Sequence, residues 1–353
     1  MTIEQNSKIM LFPRIGKIII VIFAVAFIVA GLRAYQLYRY IFAENIKKEY
    51  VLFISEGTTF EQVTDSLIIN DVLINHKAFK WVAKKKNFPE LVKPGHYVFH
   101  TGVNTNEVVN MLRAGLQEPI SVTFNNIRFK EDLAGRISKY IDTDSLSILN
   151  LFYDEKRITE YGFTLENFRA MFIPNTYQLY WTTTAEGFAA RMKAEFDRFW
   201  NEERRSKADE IGLTPIEVVI LASIVQAETA RNDELKRVAG VYINRLKRGQ
   251  LLQADPTVRY AVGDFTLRRI LYSHLEIDSP YNTYKYAGLP PGPINFPETI
   301  AIEAVLDYEK HNYIFMCARE DFSGYHHFAV TLAEHNRNAE RYRAALDALR
   351  IFR

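Results

Sequence analysis

The chain has 353 residues, with 44 lysines and arginines against 42 aspartates and glutamates. A hydrophobic content of 48% and a charged content of 24% are those of an ordinary folded protein and exclude wholesale disorder. The single cysteine, Cys317, excludes an internal disulfide and a cysteine-cluster metal site, although it does not fix the redox compartment.

The net charge of +2 is unevenly distributed along the chain. The first forty residues carry five basic side chains against Glu4, a net charge of +4, which leaves −2 for the remainder. A nucleic-acid-binding protein would need its cationic surface on the folded body. We therefore expect no nucleic-acid partner.

An uncharged apolar run occupies residues 18–32, and aromatic and aliphatic side chains continue it outward. An uncleaved anchor, a cleaved signal peptide and a buried helix are the alternatives. The nearest small-residue triplet lies inside the run, which favours a transmembrane anchor at 18–40. By the positive-inside rule, the tail of residues 1–17 is expected in the cytoplasm, because it carries Lys8, Arg14 and Lys17. The two basic residues after the run weaken this expected orientation without reversing it. The sequence thus predicts a single-pass protein of the inner (cytoplasmic) membrane with its body on the periplasmic side.

The body predicts an α+β fold. Hydrophobic periodicity predicts a small α/β module at 48–118 and a mainly helical domain at 119–353, interrupted by a Pro/Gly-rich stretch at 288–297. Within the module we expect strands at 50–55 and 96–100 and helices at 59–69 and 105–114, the last closed by Gly115. Alternation at 119–129 predicts a further strand that leads into the second domain.

Residues 214–230 predict a buried helix that ends in an acidic residue. Thr214 and Glu217 have the spacing of a capping box, and Pro215 suits the first helical position. The eight residues that follow Glu217 make the helix apolar nearly all round, so it must be buried. Glu228 lies on their face in the last turn, where desolvation and the helix dipole both raise its pKa. A carboxylic acid kept protonated near neutrality suits general-acid cleavage of a glycosidic bond.

The alternative for Glu228 is an ordinary helix end at which it pairs with Arg231 or Arg237. The next helix is expected to start at the N-cap Asp233 and to stop at Gly249. Asn244 lies beside its apolar stripe and faces either a groove or solvent, and the same holds for Arg245, its neighbour.

Polar loops beyond this helix suit a carbohydrate. Gln253 and Asp255 place an amide beside a carboxylate, and residues 281–284 place two tyrosines around an amide and a hydroxyl. The Pro/Gly stretch favours a packed structural loop. His326 and His327 match no standard zinc spacing, and neighbouring strand residues face opposite ways, so we expect neither a metal nor a cofactor.

Several segments, in this order, resemble the YceG-like (MltG) family of membrane-anchored endolytic murein transglycosylases. The matching segments are PNTY (174–177), IVQAETA (224–230), INRL (243–246), LQADPTV (252–258), YNTY (281–284), GLPPGPI (288–294) and the ending His326, Phe328, His335 and Asn336. Two positions depart from the family pattern. Gln226 stands where relatives often carry a second acidic residue, and Ala254 replaces a threonine.

The resemblance implies that 48–118 is a LysM-like module, that 119–353 is the catalytic domain and that Glu228, which precedes a threonine, is the catalytic residue. It implies cleavage of the β-1,4 bond between N-acetylmuramic acid and N-acetylglucosamine in nascent peptidoglycan, with a 1,6-anhydro end that terminates the strand. It also implies association with peptidoglycan synthases, the penicillin-binding proteins. We expect the substrate groove to comprise Thr229, Asn244, Gln253, Asp255, Tyr281, Asn282, Thr283, Tyr284 and His326.

Two other functions stay open on the sequence. A lysozyme-like hydrolase would use Asp255 as a second carboxylate. A non-catalytic peptidoglycan-binding scaffold would rely on the LysM-like module alone.

Overall fold

The computed structural model describes residues 11–267 and 270–349. The described chain divides into two compact units, Met1–Pro119 with Tyr180–Thr182, and Ile120–Leu179 with Thr183–Arg353. Each unit has a hydrophobic core of its own.

The first unit begins with a long apolar helix, α1 (Leu11–Phe42). Its Gly16–Phe42 portion has 27 residues and is long and apolar enough to cross a membrane. At 1.5 Å per residue this portion measures about 40 Å, against a hydrocarbon core of about 30 Å. The expected apolar helix at 18–40 is therefore present and longer at both ends, whereas its membrane placement and orientation stay predictions. The expected tail at 1–17 lies largely outside the described residues.

The rest of the first unit is a small α/β module. Its elements are β1 (Tyr50–Ile54), α2 (Phe60–Ile69), α3 (His76–Lys85), a 3-10 turn (Phe88–Glu90), β2 (Gly95–Phe99) and α4 (Thr105–Ala114). Strands β1 and β2 pair antiparallel, with Tyr50 opposite Phe99. The expected strands and helices are confirmed to within a residue or two. Helix α3 was not predicted, and the likeness of the module to LysM stays a prediction.

Local side chains explain where the module's helices begin and end. Thr59 caps α2 in a reciprocal pair with Gln62, and Asn104 caps α4 in the same way with Glu107. Gly115 ends α4 in the left-handed conformation, at φ 73°, which a residue with a Cβ adopts only with strain.

The second unit is mainly helical and carries two short antiparallel sheets, β3–β4 and β5–β6. Its elements are β3 (Ile120–Phe124), α5 (Lys130–Ile137), α6 (Ser145–Asn150), α7 (Glu155–Glu160), β4 (Asn175–Leu179), α8 (Ala185–Phe199), α9 (Glu202–Ile211), α10 (Pro215–Glu228), α11 (Leu235–Lys247), α12 (Asp255–Val262), α13 (Tyr272–Leu275), α14 (Thr299–Leu306), β5 (Phe315–Ala318), β6 (His326–Ala329) and α15 (Leu332–Ala348), with 3-10 turns at Leu151–Tyr153, Phe168–Met171 and Asn232–Glu234. The mixed α+β class is thus confirmed.

Two expected boundaries in this unit were wrong. The strand predicted at 119–129 ends at Phe124, because Asn126 takes a left-handed backbone conformation at φ 50° that interrupts the ladder. The N-cap of α11 is Glu234 rather than Asp233, because a 3-10 turn precedes the helix and absorbs Asp233.

Helix α10 forms the centre of this unit. Thr214 and Glu217 make the expected capping box, and all eight residues from Val218 to Val225 are buried. It packs against α11 and α14. A buried polar residue, Ser223, donates its hydroxyl to the Ile220 carbonyl, and its Oγ accepts the backbone N–H of Ile294 at 3.1 Å. This bond joins the Pro/Gly-rich stretch to the helix.

That stretch is a packed structural loop. Asn295 Nδ2 donates to the carbonyl of Ser223 at 2.9 Å, and Gln226 Oε1 accepts the backbone N–H of Glu298. Gly292 lies so close to a neighbouring loop that an added Cβ would stand 1.9 Å from the carbonyl oxygen of Glu166. The glycine is therefore needed for close backbone approach.

Candidate active site

A cleft of about 500 Å³ opens at the C-terminal end of α10. Its walls come from α10, α11, the start of α12 and the loop before it, the loop after α13, strands β5 and β6, and helix α15. The lining residues are Glu228, Val241, Tyr242, Arg245, Leu252, Gln253, Asp255, Tyr284, Phe315, Met316, Cys317, Ala318, His326, Leu332, His335 and Asn336. Segments far apart in sequence thus meet around one carboxyl group.

Glu228 is the last residue of α10 and is only partly exposed, toward the cleft. Burial raises its pKa from 4.5 to about 7. A hydrogen bond from Tyr242 opposes this shift, the negative charge of Asp255 adds to it, and the charges of Arg245 and Arg259 oppose it. The carboxyl is therefore poised to exchange a proton near neutral pH.

The arginines that could have paired with Glu228 bond elsewhere. Arg231 donates to the backbone carbonyl of Ser323, and Arg237 donates to both carboxylate oxygens of Glu309 at 3.0 Å. The interpretation of Glu228 as an ion-paired helix end is therefore wrong.

Helix α11 provides the immediate surroundings of Glu228. Tyr242 is buried and donates its hydroxyl to Glu228 Oε1 at 2.6 Å, which fixes the orientation of the carboxyl. Arg245 donates to the carbonyls of Ile314 and Leu252 and so joins the helix to two walls of the cleft.

Asp255 also lines the cleft. Its Oδ1 accepts the hydroxyl of Tyr284 at 2.6 Å. Gln253 adopts a left-handed backbone at φ 50°, and its amide oxygen accepts a 3.3 Å bond from Arg245. The structure therefore brings Gln253, Asp255 and Tyr284 to the cleft with Glu228, as expected.

His326 also lines the cleft and is held by a buried carboxylate. Glu234 Oε1 accepts the backbone N–H of His326, and Glu234 Oε2 lies 2.9 Å from its Nδ1. His327 points to a different carboxylate, Glu320, at 2.7 Å. Among the described residues there is no group of three or more His, Cys, Asp or Glu side chains able to hold a metal.

Three expected groove residues instead stabilise loops. Asn282 is buried and donates to the carbonyls of Leu275 and Ile277, and Thr283 Oγ1 accepts the backbone N–H of Ala254. Asn244 donates to the carbonyls of His311 and Tyr313. Their polar groups are used within the protein, so we assign them structural roles and correct the expectation that they line the groove.

Two further expected groove residues lie outside this cleft. Thr229 is buried, lines a separate cavity on the other side of the helix end, and accepts the backbone N–H of Arg231. Tyr281 packs its ring 4.6 Å from that of Tyr260 against the core. Polar and aromatic loop residues have the same sequence signal whether they line a groove or pack within the fold, which is why both were expected in the groove.

Several cleft residues were not predicted as site residues. Tyr242 lies among the apolar, buried residues of α11, so its sequence signal is that of a core residue. His335 lies in the cleft with its Nδ1 buried and without a hydrogen-bond partner among the described residues, and burial lowers its pKa. The resemblance named His335 and Asn336 as matching residues, which was the available signal.

A family model describes most of this chain. The model of the YceG-like family matches residues 52–341. This match spans both units and every residue that lines the cleft. The chain therefore belongs to the YceG-like family.

Individual relatives agree with this assignment. An endolytic murein transglycosylase of Bacillus subtilis (strain 168) is 28% identical over 304 residues, which cover 82% of this chain and 83% of that protein. One from Streptococcus pneumoniae (strain R6) is 28% identical over 334 residues, and the match covers 84% of this chain but 59% of that longer protein. The crystal structure of a yceG-like protein from Listeria monocytogenes gives a TM-score of 0.53 at 27% identity, covering 82% of this chain and 99% of that one.

Proposed function

We propose that the protein is an endolytic lytic transglycosylase of peptidoglycan and that Glu228 is its catalytic residue. The observation that carries the proposal is a carboxyl with a pKa of about 7 that faces a cleft of about 500 Å³ at the end of a buried helix. The names of the Bacillus and Streptococcus relatives support the substrate class.

The proposed reaction cleaves the β-1,4 bond between N-acetylmuramic acid and N-acetylglucosamine. Protonated Glu228 donates its proton to the glycosidic oxygen as the bond to the muramoyl C1 breaks. The resulting carboxylate accepts the proton of the muramoyl C6 hydroxyl as that oxygen attacks C1. The products are a 1,6-anhydromuramoyl end and a free N-acetylglucosamine hydroxyl, with no water consumed and Glu228 reprotonated.

The surroundings of Glu228 suit both halves of this cycle. A pKa near 7 leaves a usable fraction of the carboxyl in each protonation state at neutral pH. The Tyr242 hydroxyl holds Oε1, so the other oxygen is left to face the substrate. Because the nucleophile belongs to the substrate, proximity replaces the second carboxylate that ordinary glycosidases need.

A hydrolase is the second candidate because Asp255 lines the same cleft. In that mechanism Asp255 would activate water or attack C1. Its Oδ1 already accepts the Tyr284 hydroxyl at 2.6 Å, so one of its two oxygens is engaged within the protein, which favours the lytic reaction. A scaffold that binds glycan without cutting it would have no use for a raised pKa in a cleft.

We further propose that α1 anchors the protein in the inner membrane, with 119–353 as a periplasmic catalytic domain and 48–118 as a LysM-like module. An anchored enzyme of this kind would meet glycan strands as they emerge at the membrane. Cleavage of these emerging strands would end their elongation, and the same location would bring the protein near peptidoglycan synthases.

Strand cleavage by the wild type and by Glu228→Gln tests the proposal. Uncrosslinked glycan strands are incubated with each protein, and new strand ends are counted by chromatography. We expect the variant to be slower by about 10²- to 10⁴-fold, the usual contribution of general acid–base catalysis. Unchanged cleavage by the variant would remove Glu228 from the mechanism, and an inactive wild type would favour the scaffold.

A further inference from the structure

A second cavity, of about 280 Å³, lies beside the cleft at the end of α10. Gln226, Ala227, Thr229 and Ala230 line it, whereas the intervening Glu228 lines the cleft. Neighbouring residues of α12 are likewise shared between the two spaces, since Asp255 lines the cleft and Pro256 lines the cavity. The two spaces therefore flank the catalytic helix end within a single unit of the fold.

The cavity contains polar atoms without partners. Asn295 is only 9% exposed, and its Oδ1 is buried with no hydrogen-bond partner among the described residues. Its Nδ2 donates to the Ser223 carbonyl, which fixes the amide orientation and leaves Oδ1 as an acceptor. The Nε–H of Arg259 is a buried donor, also unpaired among the described residues. Such atoms cost free energy unless a ligand or water bonds them.

The described lining of this cavity is cationic. Arg128 and Arg259 both line it, and its described lining residues include no aspartate or glutamate. Arg128 stacks on the ring of Phe265, with Cζ 4.9 Å from the ring centroid, and makes no hydrogen bond or ion pair within the described part of the chain. Its guanidinium is therefore held in place with its donors free.

A ligand that bonds the unpaired groups of this cavity must offer an N–H donor to Asn295 Oδ1 and an anionic acceptor to the two arginines. The peptide attached to the muramoyl lactyl group carries several backbone amides and free carboxylates, whereas N-acetylglucosamine has no charge and peptide-free muramic acid has only its lactyl carboxylate next to the ring. An arginine bonds carboxylate strongly and in a defined orientation. The adjacent cleft would hold the muramoyl ring from which this peptide extends.

We propose that the cavity binds the stem peptide of the substrate through a carboxylate, so that the protein recognises peptide-bearing strands over stripped glycan. This inference rests on the proposed function for the placement of the sugar ring. Recognition of an N-acetyl group of a neighbouring sugar, which shares the amide chemistry, is the outcome that would contradict it.

Direct binding measurements test the proposal without requiring cleavage. Calorimetry on the full chain in detergent compares a soluble muramoyl disaccharide carrying its peptide with the same disaccharide after an amidase has removed the peptide and the exposed lactyl carboxylate has been converted to an amide. A charge-assisted bond predicts a Kd about tenfold or more lower for the peptide-bearing ligand. Equal Kd values would overturn the proposal and assign the cavity to the glycan.

Two variants identify the cavity as the source of any preference. Arg128→Gln removes the free guanidinium and should reduce the ratio of the two Kd values several-fold. Arg198→Gln is the matched control, because Arg198 lies on the surface of α8 and, within the described residues, pairs only with Glu195. Retention of the wild-type ratio by Arg128→Gln would contradict the proposal. Amidating the free carboxylates of the ligand should have the same effect as Arg128→Gln.

Cleavage assays on both strand preparations distinguish the two proposals. Failure of the wild type to cut either preparation rejects the proposed function, while the Kd ratio still decides the peptide site. If the wild type cleaves peptide-bearing and peptide-free strands with equal kcat/KM and the two Kd values are equal, the proposed function is supported and the proposed peptide site is rejected.

Discussion

Replacing Glu228 by glutamine should stabilise the protein at alkaline pH and leave its stability almost unchanged at acid pH. An unfolded glutamate loses its proton near the ordinary pKa of 4.5, whereas burial raises the folded-state pKa of Glu228 to about 7. Below 4.5 both states hold the proton. As the pH rises from 4.5 through 7, the unfolded state binds fewer protons than the folded state does, so the free energy of unfolding falls. Glutamine never ionises and avoids this loss.

The size of the effect follows from the two pKa values. Each unit of difference is worth about 1.4 kcal/mol, so the shift from 4.5 to about 7 amounts to about 3 kcal/mol above pH 7. For a unit of this size, 1 kcal/mol corresponds to about 2–4 °C in Tm. We therefore expect the Tm of Glu228→Gln to exceed that of the wild type by about 6–12 °C at alkaline pH.

Differential scanning calorimetry of the full chain in detergent measures this difference. Scans of both proteins are recorded near pH 4.5 and well above pH 7. Glu210→Gln is the control, because Glu210 is exposed on α9 and makes no hydrogen bond or ion pair within the described residues. A Tm difference between wild type and Glu228→Gln that does not change with pH would refute the raised pKa and the reasoning built on it.

Two further predictions concern the Glu228 carboxyl and the packed loop. Tyr242→Phe removes the hydrogen bond that lowers the pKa of Glu228, so the alkaline limb of its activity profile should move to higher pH than in the wild type. Asp255→Asn removes a negative charge that raises this pKa, so the alkaline limb of its profile should move to lower pH. Profiles of kcat/KM against pH measure both shifts. If the alkaline limbs of the two variants moved in the same direction, the assigned effects of Tyr242 and Asp255 on the pKa of Glu228 would be contradicted. Gly292→Ala should destabilise the protein by about 3 kcal/mol in thermal unfolding, because the added Cβ would meet a backbone carbonyl oxygen at 1.9 Å. Gly135→Ala, at a helical position with nothing within 4 Å, should be neutral or slightly stabilising, and equal losses in the two variants would contradict the assigned close approach.

Local signals allowed the helices of the site to be predicted from sequence. The capping box of Thr214 and the all-apolar run before Glu228 depend on neighbouring residues, so they are visible in the sequence. The desolvation that raises the pKa of Glu228 follows from the same run. Helix α3 was missed although Asn75 caps it, because its charged residues obscure a short apolar face.

Long-range contacts explain the rest of the site and were not accessible from sequence. Glu234 holds His326 across 92 residues of chain, and Tyr242 looks like a core residue until its hydroxyl is seen to reach Glu228. Asn282 and Thr283 were mistaken for groove residues, because a polar loop residue that bonds backbone has the same sequence signal as one that bonds substrate.

Mass spectrometry of the strand ends produced by the wild type tests the central claim most directly. Lytic cleavage by Glu228 predicts 1,6-anhydromuramoyl ends, each lighter by one water than a reducing end, and predicts that Glu228→Gln forms almost none. Reducing ends from the wild type would show that water is the nucleophile, and would contradict the account in favour of a hydrolase that uses Asp255.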